Sequence, residues 1–162
     1  MTNQINKELM WSTNVDRSGN ELSISGISAS SIAKEFGTPA FILDEADFRT
    51  RALAWNDSLK ENFGDQAGSV YYAAKAFISK EIAGWIAQAG LGLDVCTGGE
   101  IAVAKAAEFP AERIELHGNN KSESEISDAI DYRVGTIVID SLQEIERVAR
   151  IAHNKGVVQK VL

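Results

Sequence analysis

From Ser69 onward the chain alternates short apolar runs with longer amphipathic ones, and this alternation constrains the fold more than any other feature. Val70–Ala74, Leu91–Val95, Arg113–Leu116 and Thr136–Ile139 are short and mostly apolar, as buried strands are. Between them Ile78, Ile82, Ile86 and Ala89 recur at helical spacing, and further helical runs cover Ile101–Phe109, Ser122 to about Tyr132, and Ser141 to a stop at Gly156. Thr97…Glu100, Ser122…Glu125 and Ser141…Glu144 each spell Ser/Thr-x-x-Glu, the capping box that satisfies orphan N–H groups at a helix start. Val157–Leu162 begins a further strand. Strand and helix in strict alternation predict consecutive right-handed βα units around a parallel sheet. Strands apolar on both faces suit a sheet covered by helices. A TIM barrel and an open doubly wound sheet both satisfy the pattern. The first strand is not followed by GxGxxG, which weakens a dinucleotide-binding version.

Upstream the pattern differs. Residues 1–20 are polar and aperiodic, with Ser12, Thr13, Asn14, Asp16, Ser18, Gly19 and Asn20 crowded together, and are expected to be mobile. Glu21–Ile27 alternates, with Leu22, Ile24 and Gly26 on one side, and reads as one short strand. Ser31–Phe36 reads as a helix closed by Gly37. After Thr38-Pro39, the run Ala40-Phe41-Ile42-Leu43 reads as another strand. Asp44 then caps a helix whose apolar face is Phe48, Ala52, Trp55 and Leu59.

With 162 residues the chain is long enough for a domain with a real core. Its net charge of −7 argues against nucleic acid and against anionic membranes as partners. It carries no run of 18 apolar residues, and Met1–Met10 lacks the apolar stretch of a signal peptide. Cys96 is the single cysteine, so an intrachain disulfide is excluded; together these features point to the cytoplasm. Two histidines far apart and one cysteine argue against a dedicated zinc site, and no metal is expected.

In βα folds chemistry gathers at the carboxyl ends of strands. Those ends carry Lys75, Asp94, His117 with Asn119, and Asp140. Lys75 follows Val70-Tyr71-Tyr72-Ala73-Ala74, an unusual place for a charge. Burial there would favour the neutral amine that forms a Schiff base with an aldehyde. The same pattern also fits a lysine whose stem is buried and whose head reaches water. Asp94 and Asp140 could equally support the turns that follow them, His117 could be a half-buried histidine with its bonds made, and Asn119-Asn120 could supply turn geometry. Gly98-Gly99 fits a tight loop better than a phosphate site, and Cys96 a small buried residue better than a nucleophile.

The run Tyr72-Ala73-Ala74-Lys75-Ala76-Phe77, with Ile82, Ala83, Ile86 and Gly90 behind it, resembles the cofactor-lysine signature of the ornithine/diaminopimelate/arginine decarboxylase family, which has the alanine-racemase-like fold. Gly92–Glu100 and Leu116–Ser122 resemble its diaminopimelate-decarboxylating branch most. The likeness runs from about Gly26 to Leu162. It implies an α/β fold: the N-terminal part of a (β/α)8 TIM barrel that binds pyridoxal 5'-phosphate, with the barrel incomplete. The corresponding division is a mobile stretch 1–20, strands at 21–45 contributed to a C-terminal β-domain, and the barrel's first half at 46–162. It implies that Lys75 holds the cofactor covalently, that Asp94 lies close to the lysine and cofactor, and that His117 and Asn119 are candidate pocket residues. It implies a small amino-acid substrate, meso-2,6-diaminopimelate, converted to lysine and carbon dioxide by a homodimer. An ornithine or arginine decarboxylase, or a non-catalytic barrel that buffers the cofactor, are the rival expectations. A complete barrel takes ~250 residues, so about four βα units and a fifth strand are not expected to turn over alone.

Overall fold

The computed structural model describes residues 11–64 and 68–162. The chain forms two compact units that part between Arg51 and Ala52.

The first unit holds an antiparallel sheet of β1 (Val15–Ser18), β2 (Glu21–Ile24) and β3 (Ile27–Ser28), in that order, followed by helix α1 (Ala29–Phe36). β1 falls inside the stretch expected to be mobile. Its sequence, Val-Asp-Arg-Ser, lacks an apolar pattern, and its register is set by pairing Val15 with Ile24 and Arg17 with Leu22. The single strand expected over Glu21–Ile27 is a hairpin instead. Ser25 and Gly26 both take positive φ (51° and 80°), a turn conformation, and the chain folds back on itself there. Ser28 caps α1 by accepting the Ser31 N–H at 3.0 Å, and Gly37 ends it with its N–H on Ala33 O at 2.9 Å.

Residues 40–43, expected as a strand, pair with no other segment among the described residues, and Phe41 is 99 % exposed. An apolar run becomes a strand only where a partner edge meets it. Helix α2 (Glu45–Phe63) starts as expected, Asp44 accepting the Asp47 N–H at 3.2 Å. Of its expected face Ala52 is buried, whereas Trp55 is 69 % exposed. Periodicity identifies a face; whether it is covered depends on what meets it.

The second unit carries the repeats: β4 (Tyr71–Ala73), α3 (Lys80–Gln88), β5 (Gly92–Val95), α4 (Gly98–Ala106), β6 (Ile114–Leu116), α5 (Glu123–Tyr132), β7 (Thr136–Ile137) and α6 (Leu142–Asn154). The strands are parallel and stand in sequence order, β4-β5-β6-β7, extended by a parallel bridge from Ile137 to Val161. A doubly wound sheet reverses its strand order part-way. This one does not, and each of α3 to α6 touches the next, so the helices share one face. The arrangement is an unclosed arc of a (β/α) barrel.

The core lies between that face and the helices. Leu93, Val95, Ile114, Leu116 and Ile137 are fully buried, as are Ile82 and Ile86 of α3 and Ile126 of α5. Each such side chain stabilises the fold by roughly 1.5–3 kcal/mol. The opposite face is a row set by register: Ala73 beside Asp94, Asp94 beside Glu115, Glu115 beside Thr136. Strand alternation puts these residues opposite the core, on the side a closed barrel would enclose.

One of the three expected capping boxes is complete. Ser122 accepts the Glu125 N–H at 3.2 Å, and Glu125 Oε2 accepts the Ser122 N–H at 2.9 Å. Thr97 and Ser141 also cap their helices, but Glu100 and Glu144 each reach one residue further back, to the N–H groups of Cys96 and Asp140. The second carboxylate arm thus ties the end of the strand to the helix that follows.

Candidate active site

β4 ends at Ala73, and Ala74–Ala76 is a single 3-10 turn with Lys75 at its centre. Tyr72 Oη donates to Phe77 O at 2.8 Å and holds the turn closed. Ala74 takes the buried place, at 2 % exposure, and Lys75 is exposed. Of the two readings the strand end allows, a desolvated amine or a head that reaches water, the fold presents the second. The strand stops two residues earlier, and the helices cover only the sheet's other face.

Asp94 is the third residue of β5 and stands beside Ala73. β6 hands the chain to His117, whose N–H donates to Val95 O at 2.7 Å, and His117 Nδ1 lies 3.7 Å from Asp94 Oδ1. That separation is too long for a hydrogen bond. Asp94 Oδ1 is buried and has no hydrogen-bond partner among the described residues. Glu115 completes a trio, with ligand atoms of Asp94, Glu115 and His117 all within 4.8 Å of one another. Two carboxylates and an imidazole on one rim can accept a cationic nitrogen, and they also have the donor types of an open divalent-metal site. Gly118 follows at φ +103°, where a Cβ would come within 3.2 Å of Cys96 O, so this turn requires glycine. Asn119 and Asp140 are exposed on the same rim.

The neighbouring groups bear on the remaining expectations. Cys96 is half-buried, and burial, then the charges of Asp94 and Glu100, push its thiol up against the weaker opposing pull of Lys75 and Lys121. A thiol so placed is a poor nucleophile. The start of α4 at Gly98 is already served by a carboxylate: Glu125 Oε1 accepts the Gly98 N–H at 2.8 Å. The Ser122 N–H and hydroxyl, then the Gly98 N–H, hold Glu125 below the ordinary carboxylate range.

Lys75, Asp94, His117 and Asn119 thus sit at successive strand ends of one rim. Sequence reasoning missed Glu115, whose one signal is a glutamate between Ile114 and Leu116 in a strand. It also missed the buried charges of Lys121 and Glu144, 2 % and 3 % exposed.

Residues 45–162 match the family described as pyridoxal-dependent decarboxylase, pyridoxal binding domain. The chain is similar to diaminopimelate decarboxylase of Mycobacterium tuberculosis, 54 % identical over 139 residues that cover 86 % of this chain and 30 % of the relative. The enzyme of that name from Mycobacterium leprae is 49 % identical over 154 residues, 94 % of this chain and 32 % of the relative. The chain therefore spans about 30 % of the length of these relatives. Among solved structures, diaminopimelate decarboxylase from M. jannaschii in complex with L-lysine superposes with a TM-score of 0.80 at 26 % identity, over 93 % of this chain and 35 % of that one. None of the helices among the described residues is long and apolar enough to cross a membrane. The sheet arc is thus the N-terminal part of a pyridoxal-binding barrel, and the chain belongs to the pyridoxal-dependent decarboxylase family.

Proposed function

We propose that the rim holds pyridoxal 5'-phosphate, and that the chain is the cofactor-binding part of an enzyme that decarboxylates meso-2,6-diaminopimelate to L-lysine and carbon dioxide. The observation that carries this is the pairing of an exposed amine, Lys75, with the buried, unpartnered carboxylate oxygen of Asp94 at neighbouring strand ends. The residues fit the group. Lys75 has no ion pair or hydrogen bond among the described residues, and Asp94 has an acceptor to spare.

Lys75 would hold the cofactor through Nζ, and the same amine at the rim would move a proton to or from the substrate carbon. Asp94 orients a cationic nitrogen and favours its charged form. His117 and Asn119 line the pocket. When bound, the cofactor supplies an electron sink for the carbanion left as carbon dioxide departs.

The choice of substrate rests on the 54 % identity to a diaminopimelate decarboxylase and on the lysine complex of the M. jannaschii enzyme. The same reading takes residues 21–45, with β2 and β3, as a contribution to a β-domain, and the enzyme as a cytoplasmic homodimer. Substrate competition tests it. An amine that displaces Lys75 protects it from borohydride labelling by the cofactor. Protection at lower concentration by meso-diaminopimelate than by ornithine or arginine is expected; protection best by ornithine would overturn the substrate assignment.

A further inference from the structure

We infer that the buried Lys121–Glu144 pair positions the rim, by locking the loop that carries His117 and Asn119 to the loop that carries Asp140. The inference rests on the proposed cofactor site for its consequence, but not for its geometry.

Lys121 and Glu144 have side chains 0 % and 4 % exposed, and Lys121 Nζ lies 2.9 Å from Glu144 Oε2. Lysine and glutamate are almost never fully buried unless paired. A buried pair costs about as much to desolvate as it returns, and an apolar pair of similar size is often as stable or more so. Stability alone therefore does not account for charges at these two positions. Their hydrogen bonds do. Lys121 Nζ also donates to Gly118 O. Glu144 Oε2 also accepts the Asp140 N–H at 2.9 Å. Lys121 O in turn accepts from Arg147 Nη1 of α6 at 2.8 Å. One ion pair thus joins the backbone of the β6–α5 loop to Asp140, the residue before the α6 cap Ser141. Gly118, the carbonyl it grips, follows His117 directly and packs on Cys96 O beside Asp94. An apolar pair could fill the space. It could neither donate to Gly118 O nor accept from Asp140 N–H. Lys121 and Glu144 are positioning residues; the pocket residues act on the cofactor, and this pair sets where their loops stand.

The test uses Lys121→Met/Glu144→Met, which removes both charges together. Urea unfolding is expected to show a midpoint close to that of the parent chain. In the parent, the Asp140 amide should exchange with deuterium about a hundredfold more slowly than an unstructured amide, and the double variant should lose most of that protection. Pyridoxal phosphate should label Lys75 about tenfold less well in the double variant at equal stability. An Asp140 amide unprotected in the parent overturns the inference. So does a double variant that keeps both the protection and the labelling. A double variant that no longer folds would show the pair to be needed for stability, and overturns it as well. If the parent itself takes no label at Lys75, the cofactor reading fails, and amide exchange still decides whether the pair locks the two loops.

Discussion

Gly135→Ala puts the packing between β6 and β7 to a quantitative test. A Cβ at Gly135 would stand 2.1 Å from Glu112 O, 2.8 Å from Glu112 C and 3.3 Å from Ile114 O. Carbon and oxygen sit comfortably at about 3.3–3.6 Å, so something must move by more than about 1 Å. The atoms in the way are backbone, and they are tied down: Gly135 N–H donates to Ala111 O at 2.9 Å, and Glu115 is in register with Thr136 one residue on. Overpacking of this kind costs about 1–3 kcal/mol, and a lost backbone hydrogen bond about 0.5–1.5 kcal/mol. A destabilisation of about 2–4 kcal/mol follows, a large share of the ~5–15 kcal/mol typical of a folded domain. Gly84→Ala is the control, because a Cβ there meets nothing within 4 Å and the site is inside α3. It should stabilise by about 0.5–1 kcal/mol. Urea unfolding followed by circular dichroism separates the two, with the slope unchanged and the midpoints displaced in opposite directions. A Gly135→Ala midpoint within about 0.5 kcal/mol of the parent would refute the packing described for this corner.

Three further outcomes are expected. Glu125 is held below its ordinary value of 4.5, so its contribution to stability is full above that value and is lost as pH falls through its lower folded value; Glu125→Gln should therefore differ most from the parent near neutral pH and least in acid, as measured by urea midpoints across pH. Cys96 should react with iodoacetamide more slowly than a free thiol at neutral pH, because burial and Asp94 raise it, and Lys75→Met should slow it further by removing an opposing charge; mass spectrometry over time reads both. Val158 is fully exposed, and Val161 and Leu162, at the bridge to Ile137 on the sheet edge, are 48 % and 74 % exposed, so Val158→Lys should reduce self-association in sedimentation velocity.

The repeats were legible because every local rule agreed. Apolar runs and Ser/Thr caps agreed on the order of the elements from β4 to α6, although β4 and β7 end earlier than their apolar runs do, and five polar residues at four strand ends followed from that order. The choice between a barrel and a doubly wound sheet was not legible in spacing; it needed strand order and the contacts between successive helices. β1 was hidden because its stability comes from Ile24 and Leu22 across the ladder rather than from its own residues. Residues 40–43 misled in the opposite way, an apolar run without a partner. The residues before Lys75 left open whether its amine is buried or reaches water, because exposure is decided by which face the helices cover. Lys121 and Glu144 could not be read as a pair, since Glu144 looks like a helix cap and its partner comes from a different loop.

The most direct measurement is to add pyridoxal phosphate, reduce with borohydride and map the label by peptide mass spectrometry. The account predicts label at Lys75 in preference to exposed lysines such as Lys80 and Lys160, and its loss in Lys75→Ala. Label spread evenly over the lysines, or unchanged by Lys75→Ala, would contradict the assignment of the site.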